Sequence, residues 1–87
     1  NLEYLGLANN QIKRIEKYIF EYFTNLFYLG IDNNLIEYIE NGSLNNMVNL
    51  NIIRLTNNMN LNLDKHSFDY LRKLEYLFLD EIGLSIS

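Results

Sequence analysis

Apolar side chains recur along this chain in one repeated spacing. Leu2, Leu5, Leu7, Ile12, Ile15, Phe20 and Phe23 come first, then Leu26, Leu29, Ile31, Ile36, Ile39, Leu44 and Met47, then Leu50, Ile53, Leu55, Leu63, Phe68 and Leu71. The stretch LEYLGLANNQI at 2–12 returns as LFYLGIDNNLI at 26–36, as LNIIRLTNNMN at 50–60, and in part as LEYLFLDEIGL at 74–84, a step of 24 residues. Self-similarity at a fixed period marks a stacked-repeat protein, in which no coil buries its own apolar edge and each covers the next. The Leu5/Leu7 alternation has period two and predicts a very short strand. The wider spacing from Ile12 to Phe23 fits neither a strand nor a full helical stripe. It predicts a segment that turns, crosses the far side of the coil in a short helical or irregular path, and returns. Neighbouring strands then pair in parallel, about 4.8 Å apart, and satisfy their backbone groups between coils.

Asn10, Asn34 and Asn58 share one position, just after each strand, where the chain must turn. An asparagine amide there both donates to and accepts from backbone groups that the turn leaves unpaired, and stacking it coil on coil predicts a hydrogen-bonded ladder. The third repeat departs from the pattern: Asn60 stands where isoleucine is expected and Leu61 follows one place late, so its turn is expected to be reshaped. The fourth carries Ile82 at the ladder position and stops soon after Leu84, as a terminal or truncated coil would.

The pattern L-x-x-L-x-L-x-x-N-x-I-x-x-I-x(4)-F-x-x-F/L resembles the leucine-rich repeat family in its 24-residue form, as in Toll-like receptor ectodomains and related extracellular proteins. The resemblance implies an α/β repeat: a right-handed leucine-rich-repeat solenoid with a concave parallel β-sheet and short helical or irregular convex segments. It divides the chain into repeats at about 2–25, 26–49 and 50–73 with a partial one at 74–87. A chain that begins and ends in register is expected to be a fragment of a longer array, and neither end shows a capping motif.

Bulk composition narrows the partners. Eighty-seven residues allow one small domain. A formal charge of −4, from 7 basic and 11 acidic residues, disfavours general attraction to nucleic acid or to anionic membrane. Without cysteine there is no disulfide and no thiolate zinc site, which leaves the redox compartment open. No apolar run approaches the roughly 18–20 residues that span a bilayer, and NLEYL is not a signal peptide. No membrane contact is expected of this segment.

The resemblance places binding on the concave strand face, whose outward residues form columns. One column is Tyr4, Tyr28, Ile52, Tyr76; the next is Gly6, Gly30, Arg54, Phe78; the third is Ala8, Asp32, Thr56, Asp80. Beside them run Asn9, Asn33, Asn57, Glu81 and, on the other flank, Glu3, Phe27, Asn51, Glu75. An outward tyrosine row offers rigid amphipathic area of the kind that anchors protein interfaces. It can equally serve cross-strand packing, worth roughly 0.2–1 kcal/mol per pair, and both roles can hold at once. Gly6 and Gly30 are expected to leave a shallow trough closed at one end by Arg54 and Phe78. Asp32 and Asp80 would set the charge preference.

Other candidates are weaker. Glu16, Glu40 and Asp64 share a register position and could hold a divalent cation through oxygen, but Lys17 and Lys65 stand beside two of them and a solvated edge is the simpler reading. His66, the single histidine, reads as a surface residue, and Phe20, Leu44 and Phe68 as an internal spine. Asn41-Gly42-Ser43 matches a glycosylation sequon, which a chain with 15 asparagines and six serines and threonines contains about once by chance. Ser43, Ser67, Ser85 and Ser87 have no suitably placed base, and no glycine-rich phosphate loop precedes a helix. The expectation is a non-enzyme with no cofactor and no metal site that binds a protein or peptide ligand, as part of an extracellular, receptor-type or secreted immune protein. The alternatives are a structural segment that self-associates through uncapped ends, and an intracellular, cytoplasmic scaffold.

Overall fold

The computed structural model describes residues 2–63 and 66–80. Four strands, β1 (Tyr4–Gly6), β3 (Tyr28–Gly30), β5 (Ile52–Arg54) and β6 (Tyr76–Phe78), form one parallel sheet in the order β1-β3-β5-β6. The register follows the repeat: Tyr4 pairs Tyr28, Tyr28 pairs Ile52 and Ile52 pairs Tyr76. Hydrogen bonding runs past the strand ends, with Leu7 N–H donating to the Gly30 carbonyl at 2.7 Å and Asn33 N–H to that of Thr56 at 3.0 Å.

A second, two-stranded parallel sheet pairs β2 (Arg14–Ile15) with β4 (Tyr38–Ile39), which the spacing of the apolar residues does not foretell. The third coil adds no strand there among the described residues. Its chain arrives one residue late: Asn60 is exposed, Leu61 is wholly buried in the place isoleucine takes elsewhere, and Leu63 restores the register. The extra residue is absorbed in a turn closed by Leu61 N–H on the Asn58 carbonyl at 3.0 Å.

The far side of each coil is irregular, and no helix occurs among the described residues. The chain instead takes successive tight turns, each N–H reaching the carbonyl three residues back: Ile19 to Glu16, Phe23 to Phe20, Leu26 to Phe23, and likewise Ser43 to Glu40 and Met47 to Leu44. Such turns bring Phe20 and Leu44 inward, both 3% exposed, to meet Ile15, Leu29, Ile39 and Ile53 in one core that runs through the stack.

Asparagine pairs follow β1, β3 and β5. Asn9, Asn33 and Asn57 take φ near +60°, at 61°, 57° and 63°. Asparagine tolerates this left-handed region far better than a branched residue does. That bend turns the next asparagine inward. Asn34 donates through Nδ2 to the carbonyls of Ile31 and Leu7, both at 3.0 Å, and accepts Ile12 N–H on Oδ1 at 3.1 Å. Asn58 repeats this one coil on, donating to Leu55 at 2.8 Å and Ile31 at 3.1 Å and accepting Ile36 N–H at 3.2 Å. The expected ladder exists, with backbone groups as its rungs. Asn10, in the first coil, stays exposed and bonds only its own turn, at Leu7 and Ala8. Replacing Asn58 with alanine is therefore expected to cost on the order of 3 kcal/mol, because the Leu55 carbonyl and the Ile36 N–H are left unpaired in a dry core while the Ile31 carbonyl keeps only Asn34. Asn10→Ala should cost less than about 1 kcal/mol; urea unfolding followed by circular dichroism compares the two.

Candidate functional site

The sheet brings the expected columns together on its outward face. Gly6, Gly30, Arg54 and Phe78 lie side by side across the four strands, flanked by the column of Tyr4, Tyr28, Ile52 and Tyr76. Tyr4 is 63% exposed and Tyr76 52%, whereas Tyr28 is half-buried.

Parallel pairing in register sets residues of one column at strand spacing, and the two phenol rings exploit it. Tyr4 and Tyr28 stack with centroids 4.3 Å apart and planes within 2°. Stacked aromatics contribute about 0.5–1.5 kcal/mol beyond the area they bury. The tyrosine row therefore does serve cross-strand packing, at least at this end. Burial raises the Tyr28 pKa above its ordinary value of 10.0, and a hydrogen bond with the Tyr4 hydroxyl pushes it the same way.

The glycines do not form an open trough. A Cβ on Gly30 would stand 2.9 Å from Cε1 of Tyr28 and 3.0 Å from its hydroxyl, and one on Gly6 would stand 3.3 Å from Cε1 of Tyr4. Each ring therefore leans along its own strand and lies over the glycine two residues ahead. Side chains of residues i and i+2 share a face, so a residue without Cβ gives the ring its place. The face is a floor of rings, and Gly30 beneath it is buried.

Arg54 is held from two sides. Its Nε donates to Oδ2 of Asp32 at 2.8 Å, and its guanidinium carbon lies 4.6 Å from the centroid of Phe78. The hydrogen bond and the charge of Asp32 raise the Arg54 pKa further. Asp32 itself is turned inward to this task, with a side chain 15% exposed and Oδ1 accepting Thr56 N–H at 2.9 Å. Its carboxylate is thus used within the sheet, which leaves the 38%-exposed Arg54 side chain as the charge this cluster presents. Asp80 follows β6, is exposed, and receives Asn57 N–H on its backbone carbonyl at 2.8 Å.

The remaining candidates separate. Glu40 is more than a solvated edge: its Oε1 accepts Lys17 N–H from the preceding coil at 2.8 Å. Asp64 and Lys65, the last members of that row, lie outside the described residues, as do Glu81, Ile82, Leu84, Ser85 and Ser87. His66 is exposed and meets Asp69 through Nδ1 at 2.6 Å. Asn41 is exposed, while Ser43 of the same sequon is buried. Sequence reasoning had Phe27, Asn51 and Glu75 only as a flanking column and passed over the concavity formed around them at the turns entering the strands. That concavity holds about 530 Å³ against Phe27, Asn51, Arg72, Lys73 and Glu75. The adjacent Arg72-Lys73 pair, where the earlier coils carry Thr24-Asn25 and Val48-Asn49, was the available signal.

The sheet, its 24-residue register and the asparagine turns describe a leucine-rich repeat, and the model of the leucine-rich repeat family matches residues 1–59 and 24–81. The chain belongs to that family, whose arrays are in general protein-interaction modules and typically not enzymes. No curated protein matches it.

The aromatic floor predicts a local mutational effect. Gly30→Ala should expel the Tyr28 ring from its stack on Tyr4, weakening the near-ultraviolet circular dichroism of the tyrosines. The far-ultraviolet spectrum should keep its shape. Gly6→Ala, with the looser contact, should show the smaller change.

Proposed function

We propose that the chain binds a protein or peptide ligand on the outward face of the four-stranded sheet, with Tyr4, Tyr28, Arg54, Tyr76 and Phe78 as the contact residues. The observation that carries this reading is the fixed position of Arg54, clamped by Asp32 and lying over Phe78, beside a stacked tyrosine pair. Aromatic and arginine side chains dominate interface hot spots, and groups already held in place lose little entropy when a partner arrives. Gly6 and Gly30 act indirectly by letting the rings lie flat, and Asp32 by aiming Arg54. Asp80 borders the face and adds a negative charge at its rim. A receptor-type, extracellular setting is the context we propose, supported by the 24-residue step.

Peptides selected from a random library against the full chain give the test. Those that bind this face should lose at least about tenfold in affinity on Tyr28→Ala with Tyr76→Ala, since hot-spot truncations cost on the order of 2 kcal/mol or more. Undiminished binding by a folded double variant would remove the face from consideration.

A further inference from the structure

The concavity at the strand-entry turns continues into a second one. The first, of about 530 Å³, lies against Phe27, Asn51 and Glu75. The second, of about 370 Å³, lies against Val48 and Tyr70. Asn49, Arg72 and Lys73 line both, so the two form one groove with a pair of cations at its middle and apolar walls at each end. Those walls are open to water: Phe27 is 50% exposed, Val48 52% and Tyr70 61%.

Polar partners fix the floor. Asn49 donates through Nδ2 to the Thr24 carbonyl at 3.0 Å and accepts Lys73 Nζ on Oδ1 at 2.9 Å, which stations the ammonium over the groove. Asn51 donates to the Lys73 carbonyl at 3.0 Å and to Oε1 of Glu75 at 2.7 Å, so the one carboxylate at the rim is drawn to the amide of Asn51. Arg72 and Lys73 both remain exposed. Two of the seven basic residues of an acidic protein thus meet at one concavity, and charge complementarity selects an anionic occupant.

We propose that this groove binds an acidic peptide segment of a partner protein, with a glutamate or aspartate side chain on Arg72 and Lys73 and an aromatic or aliphatic side chain on Phe27 or against Val48 and Tyr70. Peptide suits it better than a phosphate polymer. The groove pairs its cations with apolar walls at both ends, and the net charge of −4 repels an extended polyanion. Phe27, Asn51 and Glu75 immediately precede Tyr28, Ile52 and Tyr76, so a ligand here borders the tyrosine face without depending on it.

The repeat itself supplies the variant. Arg72→Thr with Lys73→Asn installs the residues that Thr24 and Asn25 place at the same coil positions, so both charges go while the coil keeps side chains it already uses. The probe is the acetylated, amidated peptide Glu-Phe-Glu-Leu, titrated into the full chain and followed by amide chemical shifts; Lys-Phe-Lys-Leu and inorganic phosphate are the controls. The acidic peptide should move the resonances of Asn49, Asn51, Arg72 and Lys73. Its affinity should fall about tenfold in the double variant, because each exposed ion pair contributes a few-fold at most. Neither control should match it, and Tyr28→Ala with Tyr76→Ala should leave the response intact. An equal response to the basic peptide or to phosphate, or unchanged affinity in the double variant, would overturn the assignment. Loss of the response in the tyrosine variant would move the peptide onto the sheet face and overturn it as well.

Discussion

Two side-chain amides join coil to coil, and most of this structure depends on them. The carbonyl and N–H groups at the end of a short strand cannot all pair within their own turn. In the interior they find partners through Asn34 and Asn58, each of which reaches back 27 residues to a carbonyl and 22 residues to an N–H of the preceding coil. Leaving any of these groups dry and unpaired would cost about 1–3 kcal/mol. The left-handed asparagines before them make the inward turn feasible. Smaller links repeat the theme at the rim: Glu40 to Lys17 N–H, Asn49 to the Thr24 carbonyl, Asn57 to Oδ1 of Asn33. Strands of three residues, too short to hold on their own, are thereby locked in register.

A locked register has a functional consequence. Because Tyr4 and Tyr28 stand on directly paired residues, their rings stack; because Asp32 lies one coil before Arg54 and one step along, its carboxylate meets the guanidinium. A slip of one residue would turn every outward side chain to the core. The face we propose for binding is thus preorganised by the same bonds that hold the coils together.

Much of this was legible in the sequence. The 24-residue step predicts parallel strands, their register and the outward columns, since a fixed period fixes which residues become neighbours. The displaced Leu61 foretold the reshaped third turn. Other features left no such mark. Arg14–Ile15 and Tyr38–Ile39 are too short for any period to show. The far side could have been helical or irregular from its apolar spacing, and its chain of tight turns is a matter of backbone hydrogen bonding. Ring direction escaped as well: glycines beside tyrosines read as an open trough until Tyr28 is seen lying over Gly30. Asp32 read as a surface charge for a ligand, because a carboxylate's partner 22 residues away is visible only once the coils are stacked. The same holds for Glu40 and for the groove at Arg72 and Lys73.

Native-state hydrogen exchange at Ile12 and Ile36 tests the coil-to-coil linkage most directly. Their N–H groups are received by Asn34 and Asn58. If the amides join the coils into one cooperative unit, both should exchange only through the opening that frees the strand amides of Ile31 and Leu55, with the same dependence on denaturant. Fast exchange at Ile12 and Ile36 while the strands stay protected would show that the turns open alone, and the linkage would fail.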